Sequence, residues 1–163
     1  MLQTIFGLPI HPLIVHATVV VVPAAALAVL LAAVWPRFRN WAGVLVPVLA
    51  LAAVVLTPLS TSSGEALQGM VGNTHLIEEH AELADMLIWW VIPLLAGAVG
   101  VWWFRRRGVT ARRGLLMAAS VVSVVAALGT TVQVVLIGHS GANAAWHGVA
   151  AHAPANAGSQ DGD

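Results

Sequence analysis

The sequence contains no cysteine and no lysine, and only 9% of its 163 residues are charged. Without cysteine, the chain cannot supply disulfides, thiolate metal sites, iron–sulfur clusters or the attachment site of a c-type haem. Because lysine is absent and the formal net charge is zero, the chain lacks the basic surface of nucleic-acid-binding proteins, and no nucleic-acid partner is expected. Hydrophobic residues make up 59% and the mean hydropathy is +0.87, which predicts an integral membrane protein.

Four apolar segments are long enough to cross a bilayer, which takes roughly 20 residues. No basic residue precedes the first of them and no small-residue cleavage site follows it, so we expect it to be retained as a span. The predicted spans are residues 12–35, 41–59, 83–104 and 114–137, and the third is expected to lie within a longer helix that starts near Thr74.

Short connections join the first span to the second and the third to the fourth, so each pair is expected to form an antiparallel hairpin. A polar loop is expected after the second span, from Thr61, and the glycine-rich stretch from Gly138 to Trp146 is expected to end the fourth helix. The predicted fold class is all-α, an integral membrane four-helix bundle. It would form one domain over residues 1–152, followed by a disordered tail over residues 153–163. No internal repeat is evident.

The basic residues lie only in the connections between spans one and two and between spans three and four. Positively charged connections stay in the cytoplasm, so both termini are predicted to be non-cytoplasmic. The arginines are Arg37, Arg39, Arg105, Arg106, Arg107, Arg112 and Arg113. The acidic residues of the helical region all lie at the opposite end: Glu65, Glu78, Glu79, Glu82 and Asp85.

All seven histidines map to the outer half of the bundle or to the outer segments. They are His11, His16, His75, His80, His139, His147 and His152. An ionisable residue within a span is costly and indicates function. The first, third and fourth spans bring His16, His80 and His139 to about the same depth, and His11 is expected at the cap of the first helix. Two imidazoles that face each other across a bundle can hold a b-type haem without a local sequence motif.

The leading hypothesis is a haem b protein of electron transfer, with His16 and His80 as axial ligands and His139 or His11 as competitors. Its partners would be membrane lipid and other membrane redox subunits. No zinc-protease or nucleophile-elbow motif occurs, so an electron carrier or a subunit is favoured over a stand-alone catalyst. Asp85 is expected to orient a histidine or carry protons, and Ser63 lies at the same depth as the histidines.

Two alternatives remain open. A copper or zinc site could use imidazoles and one carboxylate. Its ligands would be His11, His16, His80, His139 and Glu65. In the other alternative, the chain is a non-catalytic structural subunit of a membrane complex, and its histidines only satisfy hydrogen bonds at the membrane interface.

Four motifs at the outer ends of the spans resemble a known family. They are HPLIVH at 11–16, SGEA at 63–66, EEHAEL at 78–83 and GHSGANAAWHG at 138–148, and together they resemble the bacterial membrane proteins grouped as domain of unknown function 2231. Members usually have a bulky residue and a proline after the second N-terminal histidine, where this chain has Ala17 and Thr18. The resemblance implies a four-span protein of the bacterial cytoplasmic membrane with a candidate site at His11, His16, His80 and His139. It implies no activity.

Overall fold

A computed structural model describes residues 4–5, 8–72, 74–106 and 113–151. Apart from one antiparallel pair of two-residue strands, β1 (Thr4–Ile5) and β2 (Leu8–Pro9), these residues are mainly helical. The helices are α1 (Ile10–Val34), α2 (Pro36–Ala42), α3 (Leu45–Val71), α4 (His75–Met86), α5 (Ile88–Arg106) and α6 (Arg113–Ala151). The predicted tail at 153–163, together with His152, Arg107 and Arg112, lies outside the described residues.

Four helical stretches are long and apolar enough to cross a membrane, as predicted. They are Ile10–Val34, Leu45–Met70, His75–Arg106 and Arg113–Trp146, so α4 and α5 together make the third. Helix α1 packs against α3 and α6, and α5 packs against the same two helices. The predicted all-α four-helix bundle is therefore confirmed.

The bundle core is rich in alanine, and its outer surface is rich in large apolar side chains. Ala25, Ala50 and Ala53 are fully buried, and such small residues let helix backbones approach closely in a membrane. In contrast, Val20 and Met117 are each 68% exposed on the isolated chain. An apolar outer surface of this kind fits contact with lipid.

The polar segment after the second predicted span is a helix rather than the expected loop. Helix α3 continues through it to Val71 and ends at Gly72, whose φ is +90°. The hydroxyl groups of Thr61 and Ser62 donate hydrogen bonds to the carbonyls of Pro58 and Leu59. The prediction was wrong because these side chains bond to their own helix and need no loop conformation.

The glycine-rich segment near the end of the fourth span is also helical, because α6 runs on to Ala151. Glycine weakens a helix without necessarily ending it. The start of the third helix agrees with the prediction, since Thr74 is the N-cap of α4 and its hydroxyl accepts a hydrogen bond from the Ile77 amide. Helix α3 begins at Leu45, four residues after the predicted start of the second span at Trp41.

Candidate functional site

A cavity of about 550 Å³ opens at the end of the bundle that carries the histidines, between α1, α3, α4 and α6. This volume lies within the range of small-molecule and cofactor sites, about 300–1,000 Å³. Most of its wall is apolar, with Val15, Val22 and Ile77 among the lining residues. Its ionisable lining residues are His11, Glu65, His80 and Asp85.

His11 reaches the cavity from the first turn of α1 and is held by α3. Its Nδ1 lies 2.9 Å from Oγ of Ser63. The ring also packs over Gly64, where a Cβ atom would lie 3.1 Å from Cε1 of the imidazole. Ser63 and Gly64 therefore fix the position of the ring through one hydrogen bond and one close contact.

His80 is held by α6 in the same way. Its Nδ1 lies 3.0 Å from Oγ of Ser140, and its ring packs over Gly141, where a Cβ atom would lie 3.0 Å from Cε1. Sequence analysis identified His80 but not Ser140. Ser140 could have been found from the dipeptide Ser-Gly. It occurs at 63–64 and again at 140–141, each time on the span that follows the histidine it contacts.

The two arrangements form an internal repeat that sequence analysis did not detect. In each hairpin of spans, the first helix supplies the histidine and the second supplies the Ser-Gly pair. The partners are 52 residues apart in the first hairpin and 60 in the second. The similarity is confined to a few residues that the fold brings together, so a search for repeated sequence does not show it.

The hydrogen bonds of the two serines favour a proton on Nδ1 of each ring. Ser63 Oγ donates to the Ser60 carbonyl at 2.9 Å, and Ser140 Oγ donates to the Ile137 carbonyl at 3.0 Å. A serine whose hydroxyl hydrogen is used in this way accepts a hydrogen bond from the imidazole. A neutral ring that donates from Nδ1 keeps a lone pair on Nε2, and the side-chain contacts to Ser63 and Ser140 are both made by Nδ1.

A free Nε2 beside a fixed Nδ1–H is the state in which histidine binds metals and haem iron. Both imidazoles line the same cavity. The site therefore offers two imidazole nitrogens, as ligands or as proton acceptors, one from α1 and one from α4.

The structure does not bring the other two site histidines to this cavity. His16 lies five residues after His11, which turns it by about 140° around the helix. Its ring is exposed, and Nδ1 lies 2.5 Å from the Pro12 carbonyl oxygen of the same helix. His139 is also exposed. The predicted pairing of His16 with His80 thus has no counterpart in this arrangement, in which His11 lies with His80.

The two carboxylates of the cavity do not orient the histidines among the described residues, although Asp85 was expected to do so. Asp85 and Glu65 line the cavity, but neither forms an ion pair or a hydrogen bond with a histidine among the described residues. The groups that orient His11 and His80 are serine hydroxyls. Within the same residues, no three histidine, cysteine, aspartate or glutamate side chains lie close enough together to hold a metal ion.

The family comparison agrees with a membrane protein. The model of a family described as predicted membrane protein (DUF2231) matches residues 7–154, which include the cavity and both histidine–serine pairs. No curated protein and no solved structure matches the chain. With the match covering nearly all of its length, the chain belongs to the DUF2231 family of predicted membrane proteins.

Proposed function

We propose that this membrane protein binds one b-type haem in the cavity, with His11 and His80 as axial ligands, and acts as an electron carrier or redox subunit. The observation that carries the proposal is the repeated histidine–serine arrangement. Each ring is held through Nδ1, which leaves Nε2 as the nitrogen that would bind iron. When bound, a bis-imidazole haem supplies one-electron redox chemistry.

The lining of the cavity is compatible with a large apolar cofactor. Its walls include Val15, Val22, Leu67 and Val134, and its volume is about 550 Å³. The glycines next to the two rings let the imidazoles pack closely against α3 and α6, where a larger residue would displace them. The lining residues include no arginine or lysine, so none of them would pair with the haem propionates.

The number of available ligands favours haem over copper or zinc. A porphyrin supplies four of the six ligands of its iron, so the protein needs to add only two. A structural zinc site almost always takes four protein ligands, and a catalytic one takes three. His11 and His80 satisfy the first requirement and fall short of the others within the described residues.

The proposal also includes the membrane in which the protein lies and its orientation there. Arg37, Arg39, Arg105 and Arg106 lie at the end of the bundle away from the histidines, and positively charged connections remain in the cytoplasm. We infer a bacterial cytoplasmic membrane protein with both termini on the non-cytoplasmic side. The haem would then lie near the outer face, within reach of redox partners there.

The test is a reduced-minus-oxidised optical spectrum of the full chain, purified in detergent after expression with ample haem. We expect haem bands in the wild type and their loss in His11→Ala and His80→Ala. The matched controls are His16→Ala and His139→Ala, which remove exposed histidines at the same end of the bundle and should leave the bands unchanged. Helix content by circular dichroism separates ligand loss from unfolding.

A second pair of variants guards against simple misfolding. His11→Met and His80→Met keep an iron ligand of similar size, so we expect the haem to remain bound with a raised reduction potential. A wild-type protein without haem bands would overturn the proposal. Bands that persist in both alanine variants, or that vanish in His16→Ala, would overturn the assignment of the ligands.

A further inference from the structure

A second cleft, of about 280 Å³, lies at the opposite end of the bundle. It is formed by the end of α1, by α2 and the start of α3, and by the last turns of α5. Three guanidinium groups and one amide line it, together with an indole ring: Arg39, Arg105, Arg106, Asn40 and Trp102. Every carboxylate of the described residues lies in the part of the chain from Glu65 to Asp85, at the other end.

Arg39 is held in place by the end of α1. Its Nε donates to the Ala32 carbonyl, and its Nη2 donates to the Ala33 carbonyl at 2.6 Å. The Ala32 carbonyl has no helical partner because the residue four positions later is Pro36, which has no N–H. Two of the five N–H groups of Arg39 are used in this way, so three remain for a ligand.

The other two arginines add to a concentrated positive charge. The guanidinium of Arg106 lies 4.7 Å from the centre of the Trp102 ring, which fixes its plane and leaves its edge free to donate. Burial, and then repulsion by Arg105, lower the pKa of Arg39. None of the described arginines forms an ion pair within the described residues, so the charge of the cleft has no protein counter-ion there.

We propose that this cleft binds a phosphate group. Guanidinium groups bind phosphate through pairs of parallel hydrogen bonds, and three of them surround the cleft. Trp35, Trp41 and Trp103 are exposed at the same end, where tryptophan marks the level of the lipid headgroups. The phosphate can therefore come from an anionic lipid headgroup or from a phosphate in solution, and the site is independent of the proposed haem.

Two measurements on the full chain in neutral detergent distinguish these sources. Native mass spectrometry with added phosphatidylglycerol, compared with phosphatidylcholine, measures binding of the anionic lipid. Isothermal titration with inorganic phosphate, in the absence of lipid, measures binding of the free anion. Retention of phosphatidylglycerol alone would identify a lipid site, and binding of inorganic phosphate would identify a soluble ligand.

Arg105→Gln and Arg106→Gln test the residues of the cleft. Loss of one charge-assisted hydrogen bond should weaken binding by about tenfold or more in each variant. Arg37→Gln is the matched control, since Arg37 is exposed and does not line the cleft, and it should change the affinity by less than twofold. Equal losses in Arg37→Gln and Arg105→Gln would overturn the proposal, as would a wild type that binds neither probe.

Discussion

Gln133 donates a hydrogen bond of 2.7 Å from its side-chain amide to the backbone carbonyl of Leu83. In a regular helix this carbonyl would accept from the amide of Leu87, but that amide bonds to Ala84 instead. The exchange occurs where α4 ends and α5 begins. Gln133 thus satisfies a carbonyl that the break leaves free, and it links α6 to the helix that carries His80.

Replacement of Gln133 by methionine should destabilise the bundle. The side chain is 6% exposed, so its loss leaves the Leu83 carbonyl without a partner away from water, at a cost of about 1–3 kcal/mol. The free energy of unfolding, measured by titration with dodecyl sulfate in mixed micelles, checks this. A stability equal to that of the wild type would mean that the helix regains its regular hydrogen bond at Leu87.

Thr130 differs from Gln133, whose buried side chain forms a hydrogen bond. Its hydroxyl is buried and has no hydrogen-bond partner, and it is the one such side-chain group among the described residues. Thr130→Val removes the polar atom and keeps the shape, so we expect the free energy of unfolding to rise by about 1 kcal/mol.

Thr57→Val is the matched control, because Thr57 is equally buried but donates to the Ala53 carbonyl at 2.8 Å. This variant should be neutral or slightly destabilised under the same conditions. A Thr130→Val protein that is less stable than Thr57→Val would show that the Thr130 hydroxyl has a partner in the membrane.

Sequence patterns were sufficient for the spans, because apolar segments of about 20 residues must be helical in lipid. They also predicted the start of the third helix near Thr74, which the structure shows as the N-cap of α4. They were insufficient where polar residues continue a helix, as from Thr61 to Val71. Hydropathy separates apolar from polar residues, whereas the hydroxyl groups in this segment are satisfied by their own helix.

The site was predicted in part for a similar reason. Sequence placed His11 and His80 at one end of the bundle, but depth alone does not say which face of a helix a residue occupies. His16 and His11 lie near the same end of α1 and on different faces, and the packing of α1 against α3 decides between them. The role of Ser140 depends on a contact across 60 residues, which no local pattern contains.

Gly129 allows Trp90 to pack directly against α6. A Cβ atom at this position would overlap the six-membered part of the indole ring, so Gly129→Ala should force the ring or the helix to move. Overpacking of this kind costs about 1–3 kcal/mol in a tight interface. Titration with dodecyl sulfate should show the loss, and Gly129→Ala combined with Trp90→Leu should recover part of it.

The control for this prediction lies on the same helix. A Cβ at Gly138 would have no neighbour within 4 Å, so Gly138→Ala should be neutral, or stabilising by about 1 kcal/mol because alanine is the better helix former. Equal destabilisation by the two substitutions would show that the effect of Gly129→Ala comes from the helix backbone. The contact with Trp90 would then contribute nothing.

Ser63→Ala and Ser140→Ala test the hydrogen bonds that orient the two imidazoles. Each substitution removes the acceptor of one Nδ1–H, so the ring loses its preferred tautomer and orientation. Because such partners tune ligand strength, haem affinity should fall about 10- to 100-fold in either variant. Nitrogen-15 chemical shifts of the histidine rings report the tautomer directly, with or without a cofactor.

Ser62→Ala provides the control for these variants, because Ser62 is exposed on α3 and bonds only to the Leu59 carbonyl of its own helix. It should leave both the ring spectrum and haem binding unchanged. The repeat also predicts that Ser63→Ala and Ser140→Ala act alike. If only one of these substitutions changed the ring spectrum of its histidine, the two halves of the site would not be equivalent. The histidine that did not respond would then be held mainly by its contact with glycine.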